Sequence, residues 1–145
     1  IIVPNLIDII VDVDMLVLSG GNETAQRLKT ELTLGDWAMR NGIPILGVCH
    51  GAFFLNFVFG GVNAEVEGHR NVMHEIHMEH DTHRVNSYHD ICIYELGPVL
   101  EPLAYADDQI EAFVHKELPI WGLAWHPERM ENPVLPSDVR ALING

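Results

Sequence analysis

The chain has 145 residues, 48% hydrophobic and 20% charged, an ordinary composition for one globular domain with a real core. Its net charge of -13 argues against nucleic acid and anionic membrane surfaces as partners, since both need clustered Lys and Arg. Two cysteines make no disulfide framework and point to a reducing, cytoplasmic setting, and the sequence shows neither a signal segment with a basic start nor an apolar run long enough to span a bilayer.

Residues 1–145 read as a single domain, with no internal repeat, low-complexity stretch or linker. "IIVP" (1–4) is an apolar strand already under way, so an upstream segment is expected. "DMLVLSGG" (14–21) is a second strand, stopped by two glycines. From Thr24 to Arg40, Leu28, Leu32, Gly35 and Met39 recur at helical spacing, and Asn41-Gly42 is a C-cap signal. "IPILGV" (43–48) is a continuous apolar run, the kind buried on both faces of a parallel sheet. "AFFLNFVF" (52–59) is apolar nearly all round and predicts a buried helix ended by Gly60-Gly61. Strand, helix, strand in this order predicts an α/β doubly wound sheet.

The second half reads differently. "RVNSYH" (84–89) predicts a short strand. "QIEAFVHK" (109–116) alternates Ile110, Ala112 and Val114 against Glu111, Phe113 and His115, the pattern of a half-buried strand. "ELP" turns it back into "IWGLAWHP" (120–127), an antiparallel hairpin partner. A helix is expected from Ser137, with Ser137 as its N-cap.

Cys49 sits in "ILGVCHGAFF" (45–54), between an apolar strand and an apolar helix. Gly47-Val48-Cys49-His50-Gly51 has the form G-x-C-x-G, the thiol counterpart of the G-x-S-x-G elbow. A nucleophile on a sharp strand-to-helix turn is pushed out of the sheet edge, and glycines two before and two after leave room for the turn. The helix N-terminus is expected to favour thiolate, and the His50 backbone N–H to point where an oxyanion forms.

A nucleophilic thiol needs a base, and His126 in "WGLAWHPER" is the best of nine histidines. Glu128, two residues on, lies on the same side of extended backbone and can hold one imidazole nitrogen while the other faces Cys49. Nucleophile, base and orienter then form a triad spread along the sequence, favoured over a surface His-Pro-Glu turn because Cys49 is present.

"GVCHG" followed later by "WHPE" resembles the class I glutamine amidotransferase family, and most closely its free-standing γ-glutamyl hydrolases of the peptidase C26 type. "LSGGNE" (18–23), Arg27 with Glu31, "VNSYH" (85–89), "IEAFVH" (110–115) and "WGLAWHPER" (121–129) extend the resemblance over most of the chain. It implies a flavodoxin-like, mostly parallel sheet with helices on both faces, and a missing opening strand and helix, roughly forty residues against a typical ~200. It implies Cys49 as nucleophile, His126 as base and Glu128 as orienter of a hydrolase that cleaves a γ-glutamyl amide through a γ-glutamyl thioester. The oxyanion hole would take the His50 N–H and one from Gly20-Gly21, worth roughly 3–4 kcal/mol of barrier. Asn86, Ser87, Tyr88 and His89 would lie along the γ-glutamyl group, and His69 or His74 near the mouth of the site. No cofactor is implied.

One departure stands out. Many family members carry Gln four residues after the nucleophile, where this chain has Phe53. Phenylalanine offers no hydrogen bond, and an unpaired buried polar group costs about 1–3 kcal/mol, so either other groups hold the amino acid end or plain glutamine is not the preferred substrate. The alternatives are a glutaminase that supplies ammonia to a synthase on a separate chain, and a non-catalytic metal-binding or stress-response module.

His74, His77, His80 and His83 recur every three residues, a period that fits neither one helix face nor one strand face, so a solvated loop or edge strand is expected over a metal site. Cys92 reads as a buried core thiol, and Trp121 and Trp125 as packing. The acid-rich surface reads as solubility charge that would also suit a cationic leaving amine.

Overall fold

A computed structural model describes residues 12–67 and 70–145. The strand expected at 1–4 and His69 lie outside the described residues. In chain order the elements are β1 (Leu16–Leu18), α1 (Ala25–Arg40), β2 (Ile45–Val48), α2 (His50–Val58), β3 (Val62–Glu65), β4 (Arg70–Met78), β5 (Asp81–Tyr88), β6 (Ile91–Glu95), β7 (Leu100–Ala106), β8 (Gln109–His115), β9 (Ile120–Leu123), a 3-10 turn η1 (Pro127–Arg129) and α3 (Ser137–Asn144).

Among the described residues all nine strands join one mixed sheet in the order β1-β2-β9-β8-β7-β4-β5, with the β3–β6 pair joined to β8 through β6. The parallel part is β1–β2–β9. Every other pairing is antiparallel, so this part is much larger than the single hairpin the sequence predicts.

The apolar runs account for the parallel part. All four residues of β2 are buried, as are all four of β9, and α2 packs against both. Burying each Leu or Ile side chain contributes about 1.5–3 kcal/mol. Thr24 caps α1, its hydroxyl accepting from the Arg27 N–H at 3.1 Å, and Asn41 followed by Gly42 at φ +66° closes it, as the spacing predicts.

Several expectations need correction. Helix α2 begins at His50, and its last turn is not buried: Phe57 is 67% exposed. Glu111, Ala112 and Phe113 are buried in succession, so the middle of β8 is covered on both faces and alternation misleads there. Strand β9 stops at Leu123, four residues early; the Ala124 N–H bond to the Glu111 carbonyl at 2.8 Å is the last contact in its register with β8. Ser137 is the first residue of α3 rather than its cap: Pro136 precedes the helix, and the Ser137 hydroxyl donates to Glu79 at 2.8 Å. Cys92 is only partly buried, on β6.

The histidine repeat forms the β4–β5 hairpin, with β5 at the sheet edge and His80 in the turn at φ +75°. His74 shares a face with buried Ile76 and Met78, while exposed His77 faces the other way and meets the Thr82 hydroxyl at 3.0 Å. Among the described residues no three His, Cys, Asp or Glu side chains are placed to hold a metal ion, and no helix is long and apolar enough to cross a membrane. Trp121 and Trp125 are both buried, and the Trp125 indole donates to the Val134 carbonyl at 3.0 Å.

Candidate active site

Parallel pairing of β2 with β9 sets Val48 opposite Leu123, so both strands end at the same edge of the sheet. Cys49 follows one strand end and His126 lies three residues past the other. The Cys49 N–H donates to the Leu123 carbonyl at 2.7 Å and ties the two ends together. The carboxyl edge of a parallel sheet is where open α/β folds place their ligands.

Cys49 has φ 50° and ψ -108°, a left-handed conformation that a non-glycine residue holds only under constraint. The flanking glycines supply that constraint. A Cβ on Gly51 would stand 2.1 Å from the Leu18 carbonyl oxygen, and one on Gly47 would stand 2.6 Å from the Gly51 carbonyl. The expectation of a lowered thiol pKa is not met. Burial pushes the Cys49 thiol up and outweighs the His50 backbone N–H and Arg129, which both favour the thiolate.

His126 is 3% exposed and held on every side. Its Nδ1 lies 2.7 Å from Glu128 Oε1. Asn86 grips its backbone twice, donating Nδ2 to the His126 carbonyl and accepting the His126 N–H at Oδ1, each at 2.8 Å. The Tyr88 ring meets the imidazole edge-on at 5.7 Å. Gly20 gives the ring its space: a Cβ there would stand 2.4 Å from Cε1. With Nδ1 engaged by Glu128, proton exchange falls to Nε2.

A network behind the elbow joins both candidate oxyanion segments. Glu31, buried on α1, lies 2.8 Å from Arg27 Nε and 3.2 Å from His50 Nε2. Arg27 in turn donates to the Ser19 carbonyl and to the Gly20 carbonyl, the latter at 3.1 Å. Burial works against the Glu31 charge, yet His50 and Arg27 together hold its pKa below the ordinary value. Gly21, at φ +129°, lines the cleft beside Cys49.

That cleft, about 670 Å³, is also lined by Phe53, Tyr88, His89 and Asp90. Phe53 packs edge-on against His89 with centroids 5.4 Å apart. The segment 86–89 divides its work: Tyr88 and His89 reach the cleft, whereas Asn86 is spent on His126 and Ser87 is fully buried. His74 does not line the cleft. It stands with His89 around Glu111, whose Oε2 is 3.5 Å from His74 Nε2 and 3.8 Å from His89 Nε2. Burial penalises the Glu111 carboxylate, but the two histidines overcome this and hold its pKa at about 2. Sequence reading missed Glu111 as an organising group because alternation placed it on the outer face; its place in "IEAFVH" was the available signal.

Fold and site together define an α/β protein with a cysteine elbow at the carboxyl edge of its sheet. Residues 2–138 match the model of the family Glutamine amidotransferase class-I, and the chain belongs to that family. Among its relatives, the gamma-glutamyl-CDP-amidate hydrolase of Campylobacter jejuni is 33% identical over 124 residues, covering 79% of this chain and 62% of that protein's length. A component of the glutamine-hydrolyzing GMP synthase of Methanococcus vannielii is 28% identical over 123 residues, covering 78% of this chain and 63% of its own. The crystal structure of a GMP synthase component from Thermoplasma acidophilum superposes with TM-score 0.71 at 25% identity, covering 90% of this chain and 69% of that one. The chain thus spans under two thirds of the length of both curated relatives.

Proposed function

We propose that this protein is a cysteine-dependent hydrolase that cleaves a γ-glutamyl amide through a γ-glutamyl thioester and releases glutamate. The observation that carries this reading is the strained Cys49 elbow bonded to the end of β9, three residues before buried His126 and its exposed partner Glu128. The Cys49 sulfur attacks the γ-carbonyl carbon as its proton passes to His126 Nε2. The His50 and Gly21 N–H groups hold the oxyanion. The C–N bond breaks, and His126 returns its proton to the leaving amine. His126 then takes a proton from water, the hydroxide attacks the thioester, and glutamate departs as the thiol is restored.

The family relation supports an amidohydrolase or amidotransferase, and the Campylobacter relative is by name a hydrolase of a γ-glutamyl compound. The GMP synthase relative favours the second reading, a glutaminase that feeds ammonia to a synthase on a separate chain. In either reading residues 1–145 belong to one domain of this family, working in the cytoplasm.

Glutamate release from glutamine and from a panel of γ-glutamyl amines, with Cys49→Ala as control, separates the two. Turnover of an amine conjugate well above glutamine, lost in the control, is the expected result. Turnover of glutamine alone points to the glutaminase, and no release that depends on Cys49 overturns both.

A further inference from the structure

The outer face of the β4–β5 hairpin builds a second cleft beside the first. Strand periodicity puts Arg84, Asn86 and Tyr88 on one face of β5, and the ladder sets Met73 opposite Asn86. With Arg129 from η1, these residues line a cleft of about 480 Å³. Tyr88 lines the Cys49 cleft as well, so one aromatic ring is common to both. Arg129 stacks over that ring, 4.7 Å from its centroid.

Charge distinguishes the two clefts. Glu23 and Asp90 line the Cys49 cleft, and its described lining residues include no Lys or Arg. The second cleft draws two arginines from a chain that has eight Lys and Arg against 21 Asp and Glu. Glu131 is the acid among its described lining residues. Arg84 has no carboxylate partner among the described residues, and even Glu75, opposite it in the ladder, forms no ion pair with it.

We propose that this cleft is the subsite for the departing amine, and that the amine carries an oxyanion group, phosphoryl or carboxylate, bound by Arg84 and Arg129. The inference rests on the γ-glutamyl hydrolase reading. The acyl half of the substrate must lie with Cys49 and the His50 N–H, while the leaving nitrogen must face His126, which protonates it. Beyond His126 the Tyr88 ring leads into the arginine cleft. A guanidinium presents a planar fork that matches two oxygens of a carboxylate or phosphoryl group at once. This replaces the expectation of a cationic amine. Charge spread over the surface is screened within about 8–10 Å in physiological salt, whereas the two arginines act at contact.

The test offers the full chain matched γ-glutamyl amides of ethanolamine, O-phosphoethanolamine, β-alanine and putrescine. One or both anionic amides should exceed the ethanolamine amide in kcat/KM by about tenfold or more, the scale of a charge-assisted hydrogen bond. Arg84→Gln should shrink that advantage, Arg84→Lys should restore part of it, and added salt should reduce it. Whichever anionic amide leads tells phosphoryl from carboxylate recognition. Equal turnover of all four, a preference for the putrescine amide, or an anionic preference untouched by Arg84→Gln and Arg129→Gln overturns the proposal. The same amides are titrated into Cys49→Ala by calorimetry. If the wild type hydrolyses none of them, the hydrolase reading falls on its own, and the subsite stands only if the anionic pair still binds more tightly than the ethanolamine amide.

Discussion

The parallel and antiparallel parts of the sheet contribute to the site in different ways. The parallel strands β1, β2 and β9 are short and their edges carry the candidate site residues: Cys49 beyond β2, His126 beyond β9, and the Gly20-Gly21 turn beyond β1. The antiparallel strands hold those groups in place. Strand β5 grips the His126 backbone through Asn86, and β8 supplies Glu111 as the shared partner of two histidines. One part carries the strained Cys49 turn, and the other carries polar side chains gathered in a buried wall. Mutations in the two parts should therefore fail differently, the first in turnover and the second in stability.

The largest expected effect tests the reacting side. In Gly20→Ala the new methyl would meet the imidazole of His126 at 2.4 Å, so the ring must move. We expect kcat to fall by about 100-fold, the cost of misplacing a catalytic group by about an ångström, with about 1 kcal/mol of stability lost to overpacking. A loss of stability as large as the loss of rate would break the distinction between the two parts.

Glu111→Gln tests the holding side. Removing a buried charge that buried His89 and half-buried His74 face should cost about 3 kcal/mol of unfolding free energy, read from urea denaturation. The sign with pH follows from the depressed pKa. Glu111 is held at about 2 against an ordinary 4.5, so its stabilisation is present above the ordinary value and is lost as pH falls toward 2. The wild type should lose stability across that window, and Glu111→Gln should show a flatter profile there.

A smaller effect is expected where the two parts are bridged. Glu31→Gln keeps the size of the side chain but weakens its hold on Arg27 and His50. If this network sets the positions of both oxyanion donors, kcat should fall about tenfold while KM changes little, since the lost interaction belongs to the transition state. Equal changes in both constants would reduce Glu31 to a structural role. The smallest effect belongs to the exposed Arg40–Asp36 pair at 2.7 Å: Arg40→Ala should shift stability by less than about 0.5 kcal/mol.

What could be read in advance follows the same division. Continuous apolar runs such as "IPILGV" and the glycine spacing around Cys49 are local signals, because burial on both faces and a tight turn each restrict which residues fit. The elbow, helix α1 with its caps, and the hairpin of β8 with β9 were legible for that reason. Strands β3, β6 and β7 were not, since short partly exposed strands such as "VNAE" carry little periodicity. Glu111 was misplaced because alternation marks a strand with one wet face, and the middle of β8 is buried on both faces.

The sequence alone marked Cys49 on its glycine-flanked turn and the His126-x-Glu128 segment as candidates, because each signal depends on residues within a few positions of one another. Only the tertiary structure decided that Asn86 serves His126, that His74 and His89 share Glu111, and that Arg84 meets Arg129 at a common cleft. These contacts join residues far apart in the chain, and strand register and loop path set them. No local pattern of side chains encodes either.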